Sequence, residues 1–269
     1  VSRVTVWKVL NNQEGVSKTL RDQILLTAKE IGYTKPGSDS IPYDKEYTDS
    51  ESSQITISLI ISRPESSVFW ANIIHAVAKQ LDKGDISLMY TYLPPNYYKG
   101  YTLPNSLTKG SIDGMLIMNV YDYELLSMLN NLDVPKVFLD LVTKFPVDTL
   151  TGDVFFLEGK HSVSKITDHL IKKGCSQIGF VGDTIYAQTN KERFEGFKHA
   201  MEKNNLPINQ DLCLTGSIGI YTYYDEISSF LNSLDKMPEA FVCASDYVAN
   251  FLIQYFYEHG YNIPEDVAI

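Results

Sequence analysis

Two periodicities divide this chain. Before residue 34, apolar positions recur at helical spacing. After residue 55, short continuous apolar runs alternate with amphipathic stretches. In the first part Ser2 precedes a helix with Val6, Val9 and Leu10 on one face and Arg3, Lys8 and Asn11 off it. Ser17 then caps a second helix, because a hydroxyl there accepts an otherwise unpaired N–H of the first turn. Leu20, Ile24, Ala28 and Ile31 follow at helical spacing, and Gly32 supplies the left-handed residue that stops the helix.

Residues 34–54, TKPGSDSIPYDKEYTDSESSQ, keep no period and read as a connector. From Ile55 the pattern predicts strands at 55–62, 86–92, 114–118, 135–141, 153–157, 178–181, 212–214 and 240–244. Between them it predicts helices at 69–81, 123–132, 163–173, 192–204, 223–234 and 248–260. Alternating strands and helices, with strands apolar throughout, imply parallel sheets covered on both faces. The strand count suits two such layers joined near residues 141–153, with a ligand crevice at the carboxyl ends of the strands.

Length and composition narrow the class. The 269 residues suffice for about two domains, with 44% apolar and 21% charged residues as in a globular protein. No apolar run reaches the ~20 residues of a membrane span, and no charged-then-apolar leader opens the chain. Cys175, Cys213 and Cys243 are odd in number and widely spaced, which suggests buried thiols in a reducing compartment, not a disulfide frame or a zinc site, and a cytoplasmic protein. Charge is uneven. Residues 1–34 hold five Lys/Arg against three acids, while the whole chain stands at −10, so the remainder stands at −12. A body this acidic repels a polyanion, which confines any nucleic-acid contact to the N-terminal part.

The first helix bunches Ser2, Arg3, Val4, Thr5 and Lys8 at its N-terminal end. Such an end suits a DNA major groove, where short hydroxyls meet phosphates and longer side chains reach base edges. The alternative is a solvated surface helix. V-S-x-x-T-V-x-x-V-L-N, then Val16-Ser17 and the helix end Ile31-Gly32-Tyr33, resembles the headpiece of the lactose-repressor (LacI/GalR) family of transcriptional regulators. DHLIKKGCSQIGFVGD, the later R-F-E-G-F and ASDYVANFLIQYFYEHGYNIPEDVAI resemble that family's effector domain.

This resemblance implies a two-lobed, periplasmic-binding-protein-like (type I) effector domain behind a remnant of an all-α helix-turn-helix headpiece. The expected divisions are headpiece 1–34, hinge 35–54, first lobe 55–145 and second lobe 146–269. It implies operator contacts from Ser2, Arg3, Val4, Thr5, Lys8 and Asn11, a homodimer, and no cofactor. The family's hinge carries an Ala-x-x-Leu-like minor-groove element that the acidic connector lacks. The chain opens on the recognition helix and stops within an apolar strand, so it reads as part of a longer one. A further family Asp in G-[YF]-D would lie beyond Ile269.

The candidate effector residues come partly from the pattern and partly from the resemblance. Phe69 and Trp70 are adjacent on a helix and cannot share one face, so one is expected in the crevice; core and dimer surface are the alternatives. Asn119 ends an apolar strand, placed to bond a hydroxyl or to form a turn. Glu158 stands where the family usually carries Asp, or it serves as a helix N-terminal acid. The resemblance assigns Arg193 to bidentate effector binding, against a surface ion pair with Glu192 or Glu195, with Thr189 beside it on the same loop. Ser245 faces the crevice in the family pattern, and Asp246 adjoins it or caps the following helix.

The expected function is a DNA-binding regulator controlled by a sugar or sugar phosphate; the alternative is a solute-binding protein of transport or chemotaxis. The five histidines show no metal spacing. Neither GxSxG nor GxxxxGK[ST] occurs, so no catalytic residue and no metal site is expected.

Overall fold

The computed structural model describes residues 1–11, 13–30, 55–63 and 68–269. The connector, Ile31, Gly32 and the helix stop lie outside the described residues. The chain forms two units, Val1–Ser53 and Gln54–Ile269.

In the first unit, α1 (Arg3–Leu10) begins as its sequence predicts: Ser2 Oγ accepts the Thr5 amide at 3.1 Å and bonds the Thr5 hydroxyl at 2.8 Å. Helix α2 (Lys18–Glu30) packs on it through buried Val9, Ile24 and Ala28. Gly15, at φ +92°, turns the chain between them. Arg3, Val4 and Trp7 stay exposed. Asn11 lies at the other end of α1, where its side-chain amide donates to the Trp7 carbonyl at 2.8 Å.

The second unit holds two parallel sheets. It runs through β1 (Thr56–Ile61), α3 (Val68–Asp82), β2 (Ser87–Tyr92), α4 (Asn105–Thr108), β3 (Gly114–Met118), α5 (Tyr123–Asn130), β4 (Lys136–Leu139) and β5 (Asp153–Phe155). These strands form one sheet in the order β2-β1-β3-β4-β5. Then follow α6 (Lys160–Lys172), β6 (Ile178–Val181), α7 (Gln188–Lys203), β7 (Cys213–Leu214), α8 (Tyr223–Asn232), β8 (Ala240–Cys243) and α9 (Asp246–Glu258). The second sheet has the order β7-β6-β8.

Each sheet with its helices makes a lobe. The first-lobe core is largely aliphatic, with Ile60, Met115, Leu125 and Leu129 around Phe138. The second is rich in rings, with Phe180 and Phe197 on one face of the sheet and Phe241 and Phe256 on the other. Continuous apolar strands are buried on both faces, as parallel sheets require.

Three expectations need correction. β5 hydrogen-bonds to β4, so the first lobe extends through Phe155 and the expected division at residues 145 and 146 falls too early. Helix α7 starts at Gln188 and not at 192, which places Thr189 on the helix with Arg193 and not on a loop. The cap of α9 is Ser245, whose Oγ accepts the Val248 amide at 3.2 Å, and Asp246 is the first helical residue.

Candidate functional site

The carboxyl ends of β1, β3 and β4 open toward the N-terminal ends of α7 and α9. The cleft between them has a volume of about 230 Å³. Its first-lobe wall carries Arg63, Phe69, Trp70, Asn119, Tyr121 and Asp140; its second-lobe wall carries Tyr186, Thr189, Arg193, Tyr223, Ser245 and Asp246.

Two residues of the first wall adopt left-handed backbone, Asn119 at φ +55° and Asp140 at φ +63°. Asn and Asp tolerate this conformation because their short side chains bond locally. The Asn119 carbonyl accepts the Ser62 hydroxyl at 3.1 Å, and its amide group donates to the Arg63 carbonyl at 3.5 Å. Asp140 is buried. One carboxylate oxygen accepts the Leu141 and Thr189 amides, at 2.9 and 3.2 Å, and the other accepts the Tyr121 phenol at 3.1 Å. Burial nevertheless holds its pKa above the ordinary aspartate value. Burial and this neighbouring carboxylate push the Tyr121 phenol well above its ordinary value. Burial, then the Tyr186 phenol, raises Tyr223.

The lobes are stitched beside this wall. Val142 and Ala187 form an antiparallel bridge, the Thr143 amide donates to the Tyr186 carbonyl at 2.9 Å, and the Gln188 amide donates to the Leu141 carbonyl at 2.8 Å. Asp140 joins the same seam through Thr189. The Thr189 hydroxyl is buried near that carboxylate but makes no hydrogen bond of normal geometry.

Arg193 projects from α7 across Gly159, where an added Cβ would lie 2.6 Å from the arginine Cγ. One guanidinium N–H donates to the Ala244 carbonyl. Glu195 pairs instead with Lys198 at 2.8 Å, and Glu192 accepts the Gln188 amide group at 3.2 Å. The surface ion-pair alternative for Arg193 therefore fails, and the remaining N–H groups line the cleft. Arg63 stacks on Tyr186, its guanidinium carbon 4.0 Å from the ring centroid. Tyr121 meets the same ring edge-on at 4.8 Å.

Seven of the eight expected effector residues line this cleft: Phe69, Trp70, Asn119, Thr189, Arg193, Ser245 and Asp246. Phe69 and Trp70 both reach it, with rings edge-to-face at 5.0 Å, while Trp70 also packs on Leu59, Ile61 and Met118. Glu158 does not. It is exposed in a separate surface recess and accepts the His161 and Ser162 amides and the Ser162 hydroxyl. Those bonds, the Ser162 hydroxyl first, hold its carboxyl below the ordinary range, and the helix-terminal alternative describes it. Leu157, one residue earlier, faces the cleft instead.

Arg63, Tyr121, Asp140, Tyr186 and Tyr223 were not selected from the sequence. The first three lie one to three residues beyond a strand end; Arg63 and Tyr121 follow predicted strands as Asn119 does, whereas Asp140 lay inside the predicted strand 135–141. Tyr186 and Tyr223 reach the cleft through loop geometry that carries no periodic signal. Among the described residues no group of three His, Cys, Asp or Glu is placed to hold a metal, and no helix is long and apolar enough to cross a membrane.

A two-lobed parallel α/β domain with a polar, aromatic cleft at the strand ends has the fold of the periplasmic-binding-protein kind. The family description for periplasmic binding protein-like domains matches residues 167–269. Along its whole length the chain is 28% identical to the HTH-type transcriptional repressor PurR of Haemophilus influenzae strain KW20/Rd, covering 76% of that protein. It is 28% identical to PurR of Histophilus somni, covering 78%. The transcriptional regulator CelR in complex with cellobiose superposes with a TM-score of 0.66 at 20% identity, covering 100% of this chain and 78% of that one. The lac repressor dimer bound to operator and the anti-inducer ONPF superposes with a TM-score of 0.62 at 16% identity, covering 99% and 77%. The chain is thus similar along its length to transcriptional repressors and shares its fold with regulators of the lactose-repressor kind. These relatives are transcriptional repressors and not enzymes.

Proposed function

We propose that this protein represses transcription by holding operator DNA with α1 and that a sugar or sugar phosphate in the cleft controls it. The observation that carries the effector reading is Arg193: a guanidinium reaching into a cleft between two lobes, with N–H donors in excess of the one carbonyl it meets. Trp70, Phe69, Tyr186 and Tyr223 offer ring faces to the C–H surface of a sugar, and Asn119 and Ser245 add polar groups. The seam at residues 140–143 and 185–189 gives lobe closure a mechanical basis. A ligand bound by both walls favours the closed arrangement by its differential affinity, typically ~1–3 kcal/mol of coupling.

On the DNA side the reading rests on Ser2, Arg3, Val4, Thr5 and Lys8 at the N-terminal end of α1, with Asn11 at its far end. Residues 1–34 serve as headpiece and 35–54 as hinge. A headpiece reads one half-site, so two copies act together in the cytoplasm. The homodimer reading is supported by α3, an apolar helix with no buried residue, beside the exposed Tyr90 and Tyr92 of β2.

A thermal-shift screen against sugars and sugar phosphates, repeated with Arg193→Ala, tests the cleft. A ligand-dependent rise in midpoint should vanish in the variant while its ligand-free midpoint stays in place. Persistence of the rise would remove the cleft assignment. DNA selected by the protein from random duplexes, measured by anisotropy, tests the headpiece: Arg3→Ala or Lys8→Ala should weaken binding and reduce its salt dependence.

A further inference from the structure

We propose that the ligand of this cleft carries an anionic group, a phosphate or a carboxylate, and that Arg63 selects it. The inference rests on the cleft being the effector site. Arg63 leaves the end of β1 in the first lobe, and Arg193 enters from α7 in the second. Two guanidinium groups thus line one small cleft in a chain that holds 33 acids against 23 basic residues. Acids are plentiful, yet among the described residues neither arginine forms an ion pair.

The acids of the cleft are occupied elsewhere. Asp140 already accepts two amides and a phenol. Asp246 accepts the Tyr247 amide at 2.9 Å, at the start of α9. Arg63 itself makes no side-chain hydrogen bond among the described residues, and only ring faces hold it. Stacking on Tyr186 at 4.0 Å fixes the plane of the guanidinium and leaves its edge N–H groups for an acceptor lying in that plane. A phosphate or carboxylate presents two oxygens at the spacing this edge requires, whereas a neutral hydroxyl leaves the charge uncompensated. Tyr186 belongs to the other lobe, so an anion on Arg63 also sits at the seam on which closure turns.

The test compares matched ligands on the full chain by calorimetry and thermal shift: a hexose, its 6-phosphate, its uronate, inorganic phosphate and a purine base. The 6-phosphate or the uronate should bind at least about tenfold tighter than the neutral hexose, a preference that added salt reduces. Whichever anion binds better identifies the source. Arg63→Ala should erase the preference and leave the ligand-free midpoint in place, and Arg63→Lys should restore part of it. If inorganic phosphate alone stabilises the chain in an Arg63-dependent way, the anion inference stands and the sugar reading fails. If a neutral sugar or the purine base binds with dependence on Arg193 but not on Arg63, this inference is overturned and the effector cleft stands. If no member of the panel shifts the wild-type midpoint, both are overturned.

Discussion

The two walls of the cleft use the same kinds of residue in opposite ways. On the first wall Asn119 and Asp140 are buried at strand ends in left-handed backbone, and the Asp140 carboxylate is bonded to backbone amides and a phenol. On the second wall Arg193 stands on a helix, gives one N–H to a carbonyl and keeps the rest for the cleft. One wall's main carboxylate is taken up by hydrogen bonds within the fold, whereas the other wall's guanidinium meets a single carbonyl. A polar residue near a cleft is therefore not yet a binding residue. What it already bonds decides what it can still do.

The largest test of this contrast is Gly196→Ala, which disturbs the support of the second wall alone. A Cβ on Gly196 would lie 2.1 Å from the Lys160 carbonyl oxygen, so α6 and α7 would have to separate. The expected cost is about 3 kcal/mol or more, since overpacking against backbone cannot be relieved by a rotamer change. Urea unfolding should show it as a lower midpoint, and effector affinity should fall with it because α7 carries Arg193. A variant of unchanged stability would mean that the glycine of R-F-E-G-F is not there for helix packing.

Asp140→Asn probes the first wall, with a smaller effect. Because the folded pKa of Asp140 lies above 3.8, the folded chain holds this proton more tightly than the unfolded chain. Its contribution to stability is then fully present below that value and is lost as pH rises through the native pKa. Asn fixes the side chain in a neutral form. The variant should lose that part of the decline, which sets in as pH rises above the ordinary value of 3.8, while its net stability at neutral pH changes by no more than about 1–2 kcal/mol. The Tyr121 phenol should titrate closer to its ordinary value once the carboxylate is gone, which ultraviolet absorbance reads. An unaltered phenol titration would break the proposed pairing.

How much of this could be read from residues alone follows from where the information lies. Apolar runs and helical spacing located the strands, because burial on both faces leaves a continuous signature. The rule that ligands meet strand ends picked out Asn119, and applied to β1 it would have reached Arg63, whereas β4 ends at Leu139 and not at 141, which hid Asp140 inside the predicted strand. Boundaries were less legible. Three polar residues at the start of α7, Gln188, Thr189 and Asn190, masked its first turn, so the helix was expected to start at 192 and Thr189 to lie on a loop. β5 is three residues long with Asp153 exposed, too weak a pattern to show which sheet it joins. Tyr186 depends on a turn held by Asp183, which accepts the Ile185 and Ile218 amides at 2.8 and 3.0 Å, and pairing across 35 residues leaves no local trace.

Glu158 supplies the smallest effect and the sharpest control, because it was expected in the cleft and lies in neither wall. Its carboxylate takes two amides and a hydroxyl at the start of α6, where negative charge meets the unpaired N–H groups of the helix. Those bonds lower its pKa, so the stability it contributes is present above the ordinary value of 4.5 and is lost as pH falls through the depressed one. Glu158→Gln should therefore cost a little at neutral pH, flatten the acid limb of the stability profile, and leave effector affinity as it was. Only the last result separates the two assignments. An affinity loss comparable to that of Arg193→Ala would return Glu158 to the binding wall and show that the cleft closes further over a ligand than the seam at Asp140 and Thr189 implies.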